Sequence, residues 1–309
     1  MTFHAPGLLL LLALSAARAL RPAIVMNGRN LNLPVPGGHI CYDFFPSSSG
    51  SPVLYLPSLT RPKNEAKASN LQAWCRKNDH SFLCADYFGV VSELSRRSSL
   101  SREPQGRSSG KFSDGSVGRW AADTIMLIEQ VLHNGRHQEK AVLVGHGVGA
   151  WISFVVARKR PDLVSGIVGL SADPDFTEEL LMKKLPEEVK ARIMNEGVAD
   201  VKWGNEVYPI SRELIEDGRK NLILTGEPNT LPIHCPVRLI HALSDEEVPF
   251  EFALKLVSNC ASTDAAVTLL KGSTHSMEDH RDMVEMRNMV QEVMDAFKGE
   301  YDLRSPGSG

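Results

Sequence analysis

The stretch Gly145-His146-Gly147-Val148-Gly149 decides how this chain folds. It follows the apolar run Ala141 to Val144 and opens a helical pattern, Ala150 to Arg160, which Pro161 stops. Glycines at 145 and 149 let a strand and a helix approach closely, because a Cβ at either place would collide. Such a turn supports two chemistries: it can cradle a phosphate at the helix N-terminus, or lift its central residue above the end of a sheet as a nucleophile. Here the central residue is Gly147, so the choice rests on the rest of the chain.

On both sides of this turn, short apolar runs alternate with helical patterns. The runs are Val53 to Leu56, Ser81 to Ala85, Ala141 to Gly145, Gly166 to Leu170, Val237 to His241 and Ala266 to Leu270. Each is short and apolar throughout, as strands buried on both faces are. Helices are expected around Val117 to Leu132, closed by Gly135, and from about Asp279 to Phe297, whose methionine stripe reads as core packing. The predicted fold class is therefore α/β, a mostly parallel sheet with helices on both faces. Two segments interrupt the alternation. The loop 92–110 is rich in Ser and Arg and reads as flexible, whereas 173–232 is acidic and helix-rich and is expected to form a helical lid.

A chain of 309 residues, 42% hydrophobic, can bury one full core, and a single domain over 31–300 is expected, with 301–309 as a disordered tail. A net charge of −3 gives no basic surplus for nucleic acid or an anionic membrane. Cys41, Cys75, Cys84, Cys235 and Cys260 are odd in number and contain no C-x-x-C pair, so they read as buried thiols. No H-E-x-x-H or His/carboxylate cluster appears, and neither a metal site nor a cofactor is expected.

Residues 1–30 read as a targeting leader. Leu8 to Leu14 is leucine except for Ala13, Ala17-Arg18-Ala19 offers small residues to a peptidase, and the run is too short for a transmembrane span. No acidic residue precedes Asp43, while Arg18, Arg21 and Arg29 fall within that stretch. That pattern points to an organelle, a plastid of complex origin or a mitochondrion, with the secretory pathway as the alternative.

Downstream of the glycine turn, Asp245 sits in the loop after the run ending at His241, with Val248-Pro249 opening a helix. His275 follows the last run in Gly272-Ser273-Thr274-His275. Position 147, then acid, then histidine is the order in which the α/β-hydrolase fold places its triad. Asp173 is a reserve for the acid, while His146, His241 and His280 read as structural or solvated.

From about Leu54 to the C-terminal helix, the chain resembles the mitochondrial palmitoyl-protein thioesterase and acyl-glucuronide esterase branch of the α/β-hydrolases. The matching pieces are Asp86-Tyr87 with Gly89-Val90, Gly118-Arg119-Trp120, Gly149-Ala150-Trp151, Leu185 through Lys190, Cys235 through His241, and Asp245 through Pro249. The resemblance implies a hydrolase for acyl esters or thioesters, its partners an acylated small molecule or protein. Acid and base carry over to Asp245 and His275, oxyanion donors to the amides of Leu59 and Val148, and the nucleophile to Gly147. Pro57-Ser58-Leu59 departs from the glycine usual after that proline. With Gly147 in the nucleophile's place, the chain is expected to be a catalytically impaired homologue that binds an acyl ligand or a protein. The alternative is an active esterase or thioesterase in which His275 activates water or another hydroxyl enters the site. Serine at 147 is expected to restore turnover.

Overall fold

The computed structural model describes residues 27–48, 50–59, 61–90, 108–133, 139–203 and 206–304. The chain enters through the hairpin β1 (Gly28–Val35) and β2 (Gly38–Phe45). It then runs β3 (Val53–Leu56), α1 (Ala66–Lys77), β4 (Phe82–Ala85), α2 (Val117–Leu127), β5 (Ala141–His146), α3 (Val148–Lys159) and β6 (Val164–Leu170). After β6 come α4 (Glu187–Glu196), β7 (Val198–Trp203), β8 (Glu206–Ser211) and α5 (Arg212–Lys220). The chain closes with β9 (Val237–Ala242), α6 (Glu251–Asn259), β10 (Ala265–Leu270) and α7 (His280–Arg304).

Among the described residues an eight-stranded sheet runs in the order β1-β2-β4-β3-β5-β6-β9-β10, antiparallel at β1 and β2 and parallel from β4 onward. The strand alternation explains why the apolar runs lack polar residues. Val53, Tyr55, Val142, Val144, Val168 and Ile240 point to one face, where they meet Leu71 of α1 and Met286, Met289, Val290, Val293 and Met294 of α7. Leu54, Leu56, Leu143, Ile167 and Leu239 point to the other, against Trp120 of α2, Trp151 and Phe154 of α3 and Leu256 of α6. Both faces are covered, so both must be apolar, and the methionine stripe is core.

Four boundaries differ from the sequence expectations. β1 begins at Gly28, inside the segment read as leader, because Asn30 donates its amide to Asp43 Oδ1 at 2.8 Å and Gly28 pairs with Phe44. The segment expected to be a helical lid contains the hairpin β7–β8 as well as helices. α7 continues to Arg304, into the expected tail, since the residues that oppose a helix, Pro306 and Gly307, come later. The helix read from Ala150 starts at Val148, directly after Gly147. Residues 1–26 of the leader, most of the Ser/Arg-rich loop, Gly135 and 305–309 lie outside the described residues. The described cysteines are free thiols, all buried except the partly exposed Cys235. No described helix is long and apolar enough to cross a membrane.

Candidate active site

β5 ends at the centre of the sheet, where Gly147 turns the chain into α3 with φ 55° and ψ −120°. A side chain in that conformation costs about 1–3 kcal/mol, and glycine avoids the cost. The turn is tight on both flanks: a Cβ at Gly145 would lie 2.4 Å from Ala150 N, and one at Gly149 2.2 Å from Leu56 O. The backbone of a nucleophile elbow is thus present, without a nucleophile on it.

The acid and base meet beside it. His275 donates Nδ1–H to Asp245 Oδ2 at 2.9 Å, which directs Nε2 toward the pocket. Asp245 accepts the amides of Glu247 and Val248 at 2.9 Å on Oδ1, and His241 Nε2 lies 3.2 Å from Oδ2 while also donating to Val248 O. Burial opposes ionisation of Asp245, but the hydrogen bonds from His241 and His275 outweigh it and hold the carboxyl well below the usual carboxylate range. Burial would likewise lower His275, yet the hydrogen bond and charge of Asp245 raise it above its ordinary value. The pair therefore has the geometry of an oriented general base.

Asp173, the reserve acid, is not hydrogen-bonded to His275. It lines the same pocket with Oδ1 buried and unpartnered among the described residues, and burial pushes its carboxyl up to about 7. His146 donates Nε2–H to His275 O at 3.0 Å, and its ring lies tilted against the His275 ring with centroids 5.5 Å apart. Burial, with Lys67 nearby, holds its imidazole well below the ordinary value, which favours the neutral ring. His280 is exposed.

Sequence reasoning missed the supports under this pair. His241 is fully buried and oriented toward Asp245 rather than simply packed. Lys67, also buried, donates to Ser276 O at 2.7 Å and pairs with Glu65 at 3.3 Å, while Tyr55 donates to Glu65. Local sequence carries no signal for Lys67, whose partner Ser276 is more than two hundred positions away.

The pocket is about 110 Å³. Ser58, His146, Asp173 and His275 line its floor with the apolar Leu59 and Val148, and Phe176, Leu180, Leu181, Val201 and Ile210, all from the segment between β6 and β9, give it an apolar side. Among the described residues neither the Leu59 nor the Val148 amide donates a hydrogen bond, so both remain open to an oxyanion. One contact is unexpected. A Cβ built on Gly147 would lie 2.5 Å from Ser58 Oγ and 3.2 Å from Ser58 Cβ. The Ser58 side chain stands in the space an elbow side chain would fill. Among the described residues no group of three or more His, Cys, Asp and Glu is placed to hold a metal ion.

Comparison with known proteins agrees with this architecture. The chain is 27% identical over 246 residues to the mitochondrial palmitoyl-protein thioesterase ABHD10 of Bos taurus, covering 79% of this chain and 72% of that protein. The structure of alpha/beta hydrolase domain-containing protein 10 from mouse superimposes with a TM-score of 0.70 at 22% identity, covering 86% of this chain and 98% of the mouse chain. A soluble variant of monoglyceride lipase from Saccharomyces cerevisiae, in complex with a substrate analog, has a TM-score of 0.66 at 14% identity, covering 88% and 96%. No family model matches the chain. With strand order, turn backbone and sequence similarity in agreement, the chain has the α/β-hydrolase fold and is similar in sequence to mitochondrial palmitoyl-protein thioesterases.

Proposed function

We propose that this chain binds acyl esters or thioesters, as small molecules or acylated proteins, and hydrolyses them slowly through His275. The observation that carries this reading is the 2.9 Å bond from His275 to Asp245 beside an elbow that has no side chain. The base is fully assembled, and the usual place for a covalent acyl group is missing. In this reading the apolar side takes the acyl chain, the Leu59 and Val148 amides take the carbonyl oxygen, and Asp245 orients the imidazole. Loss of a triad member leaves about 10³ to 10⁴ over the water reaction in a comparable enzyme, well short of normal turnover.

The similar proteins are called mitochondrial, which favours the mitochondrion among the organelles considered, with delivery by the N-terminal leader. Imaging a fluorescent fusion of the full chain checks that assignment, and a plastid or secretory signal would reject it. The functional reading is tested with short acyl thioesters on the wild-type chain and on His275→Ala. Slow hydrolysis that falls to the buffer rate in His275→Ala supports it. Equal rates in the two proteins would leave the pocket as a binding site alone. Turnover at rates normal for enzymes would remove the impairment from this reading.

A further inference from the structure

Gly147 and Ser58 compete for one volume. A Cβ on residue 147 would lie 2.5 Å from Ser58 Oγ, a separation that bonded neighbours aside is too short for two such atoms. The space above the elbow therefore holds one hydroxyl-bearing side chain, and it comes from residue 58. Further observations give that hydroxyl a chemical context. Ser58 lines the same pocket as His275 and is only partly buried, so its oxygen is accessible to a ligand. Among the described residues Ser58 Oγ makes no hydrogen bond and His275 Nε2 accepts none, because the Asp245 contact uses Nδ1–H and leaves the Nε2 lone pair free. Nucleophile and base often draw together only when substrate is bound. Position also matters. An elbow serine at 147 precedes one candidate oxyanion amide, that of Val148, whereas Ser58 precedes the other, that of Leu59. Moving the hydroxyl across the pocket floor keeps it next to a donor for the developing oxyanion.

We propose that Ser58 is the acyl-accepting nucleophile of this site, standing in for the side chain that Gly147 lacks. The proposal rests on the reading of the pocket as a site for acyl esters or thioesters, and it replaces direct water attack in the first step. Ser58 Oγ bonds to the acyl carbon while its proton passes to His275 Nε2. The carbon–sulfur or carbon–oxygen bond to the leaving group then breaks, and the thiol or alcohol departs with that proton. In the second step water attacks the acyl carbon and gives a proton to His275, which returns it to Ser58 Oγ as the carboxylic acid leaves. No oxidant, reductant or metal enters the balance.

The test begins with a fluorophosphonate probe on the full-length wild-type chain, followed by digestion and mass spectrometry. The expected adduct lies on Ser58 and disappears in His275→Ala. Hydrolysis of a short acyl thioester is measured in parallel for wild type, Ser58→Ala and Ser58→Gly, with the melting temperature of each as a check of folding. The expected loss is about tenfold or more in both variants at an unchanged melting temperature. Ser58→Cys supplies an independent readout, since a thiolate beside His275 should react with iodoacetamide faster than the same variant carrying His275→Ala.

An adduct absent from Ser58 overturns the proposal, as does hydrolysis within twofold of wild type in Ser58→Ala. If hydrolysis still requires His275 in that case, the acyl-hydrolase reading survives with water as the attacking group. If hydrolysis is independent of both His275 and Ser58, both readings fail together.

Discussion

The elbow and the acid–base loop meet at one pocket, but they have been treated differently. At the elbow the backbone turn is present without a side chain on it: Gly147 holds φ 55°, and Ser58 supplies the atoms nearest to where a Cβ would stand. In the acid–base loop every group is present, down to the buried His241 behind Asp245 and the two backbone amides on its Oδ1. Tight packing fixes the elbow's backbone whatever residue 147 is, because the close approaches belong to Gly145 and Gly149. The carboxylate is held below its ordinary pKa, against its burial, by hydrogen bonds from His241, His275 and the Val248 amide, and so depends on the side chains around it. A shape can persist for packing reasons, while a hydrogen-bonded carboxylate next to a partly exposed imidazole is the arrangement a general base requires.

The strongest way to break that contrast is His275→Ala. Removing the base should lower acyl-thioester hydrolysis by about 10² to 10⁴-fold. A loss under twofold would mean that the intact loop is as inert as the elbow.

The next effect in size concerns the elbow. Serine at 147 alone no longer follows as a simple restoration, because its Cβ meets Ser58 Oγ at 2.5 Å. Gly147→Ser should destabilise the fold by about 1–3 kcal/mol from backbone strain, with crowding added to it. Combining it with Ser58→Gly should relieve the crowding and give the higher turnover of the two, by about tenfold or more if the oxyanion amides stay in place. Denaturant melts and steady-state rates of both variants check this. A single variant as stable and active as the double would show that Ser58 simply rotates aside.

A smaller change is expected from His241→Ala, which deprives the buried Asp245 of a hydrogen bond and should cost about 1–3 kcal/mol of stability at neutral pH. It should also lower the acid limb of the rate profile, since a less firmly held carboxylate supports a less basic His275. An unchanged limb would mean that His241 only packs.

The pH dependence itself is the mildest test. His275 is raised above 6.5, so its contribution to stability is complete below 6.5 and is lost as the pH rises through its folded value. Asp245 is depressed below 3.8, so its contribution is complete above 3.8 and is lost as the pH falls through its folded value. The melting-temperature difference between wild type and Asp245→Asn should therefore be largest between 3.8 and 6.5, with hydrolysis rising only above 6.5. A difference that peaks elsewhere would detach the pair from stability.

The legible parts of the molecule are those whose signal is local. β3 was read to its termini and β5 to within one residue, because strands buried on both faces leave apolar runs with sharp ends. Asp245 and His275 were legible from their places after strands, and the structure brings them to hydrogen-bond distance. The β1–β2 hairpin was missed although Leu31, Leu33, Val35, Ile40, Tyr42 and Phe44 alternate around Pro36-Gly37, the signal of a strand pair with one covered face. The β7–β8 hairpin is harder: its charged and polar positions interleave with the few residues that face the pocket. Ser58 was noticed only as a departure from a pattern. Its meaning depends on the 2.5 Å that would separate a Cβ at Gly147 from Ser58 Oγ, between residues far apart in the chain that no window of sequence contains.

That approach also constrains how the site could have been reached by single substitutions. With serine at both positions the Ser58 hydroxyl must turn away from the new Cβ, and the chain carries the strain of a non-glycine elbow. With glycine at both, the fold is relaxed but neither the elbow nor the facing loop offers a hydroxyl. Neither intermediate is neutral, one suffering in stability and the other in reactivity. Any route between a hydroxyl on the elbow and a hydroxyl on the facing loop therefore passes through a protein that is temporarily worse. A chain stable enough to tolerate the crowded state, by about the 1–3 kcal/mol that such strain costs, could cross without ever losing its hydroxyl. Stability elsewhere in the sheet is then what would decide which residues the active site was free to exchange.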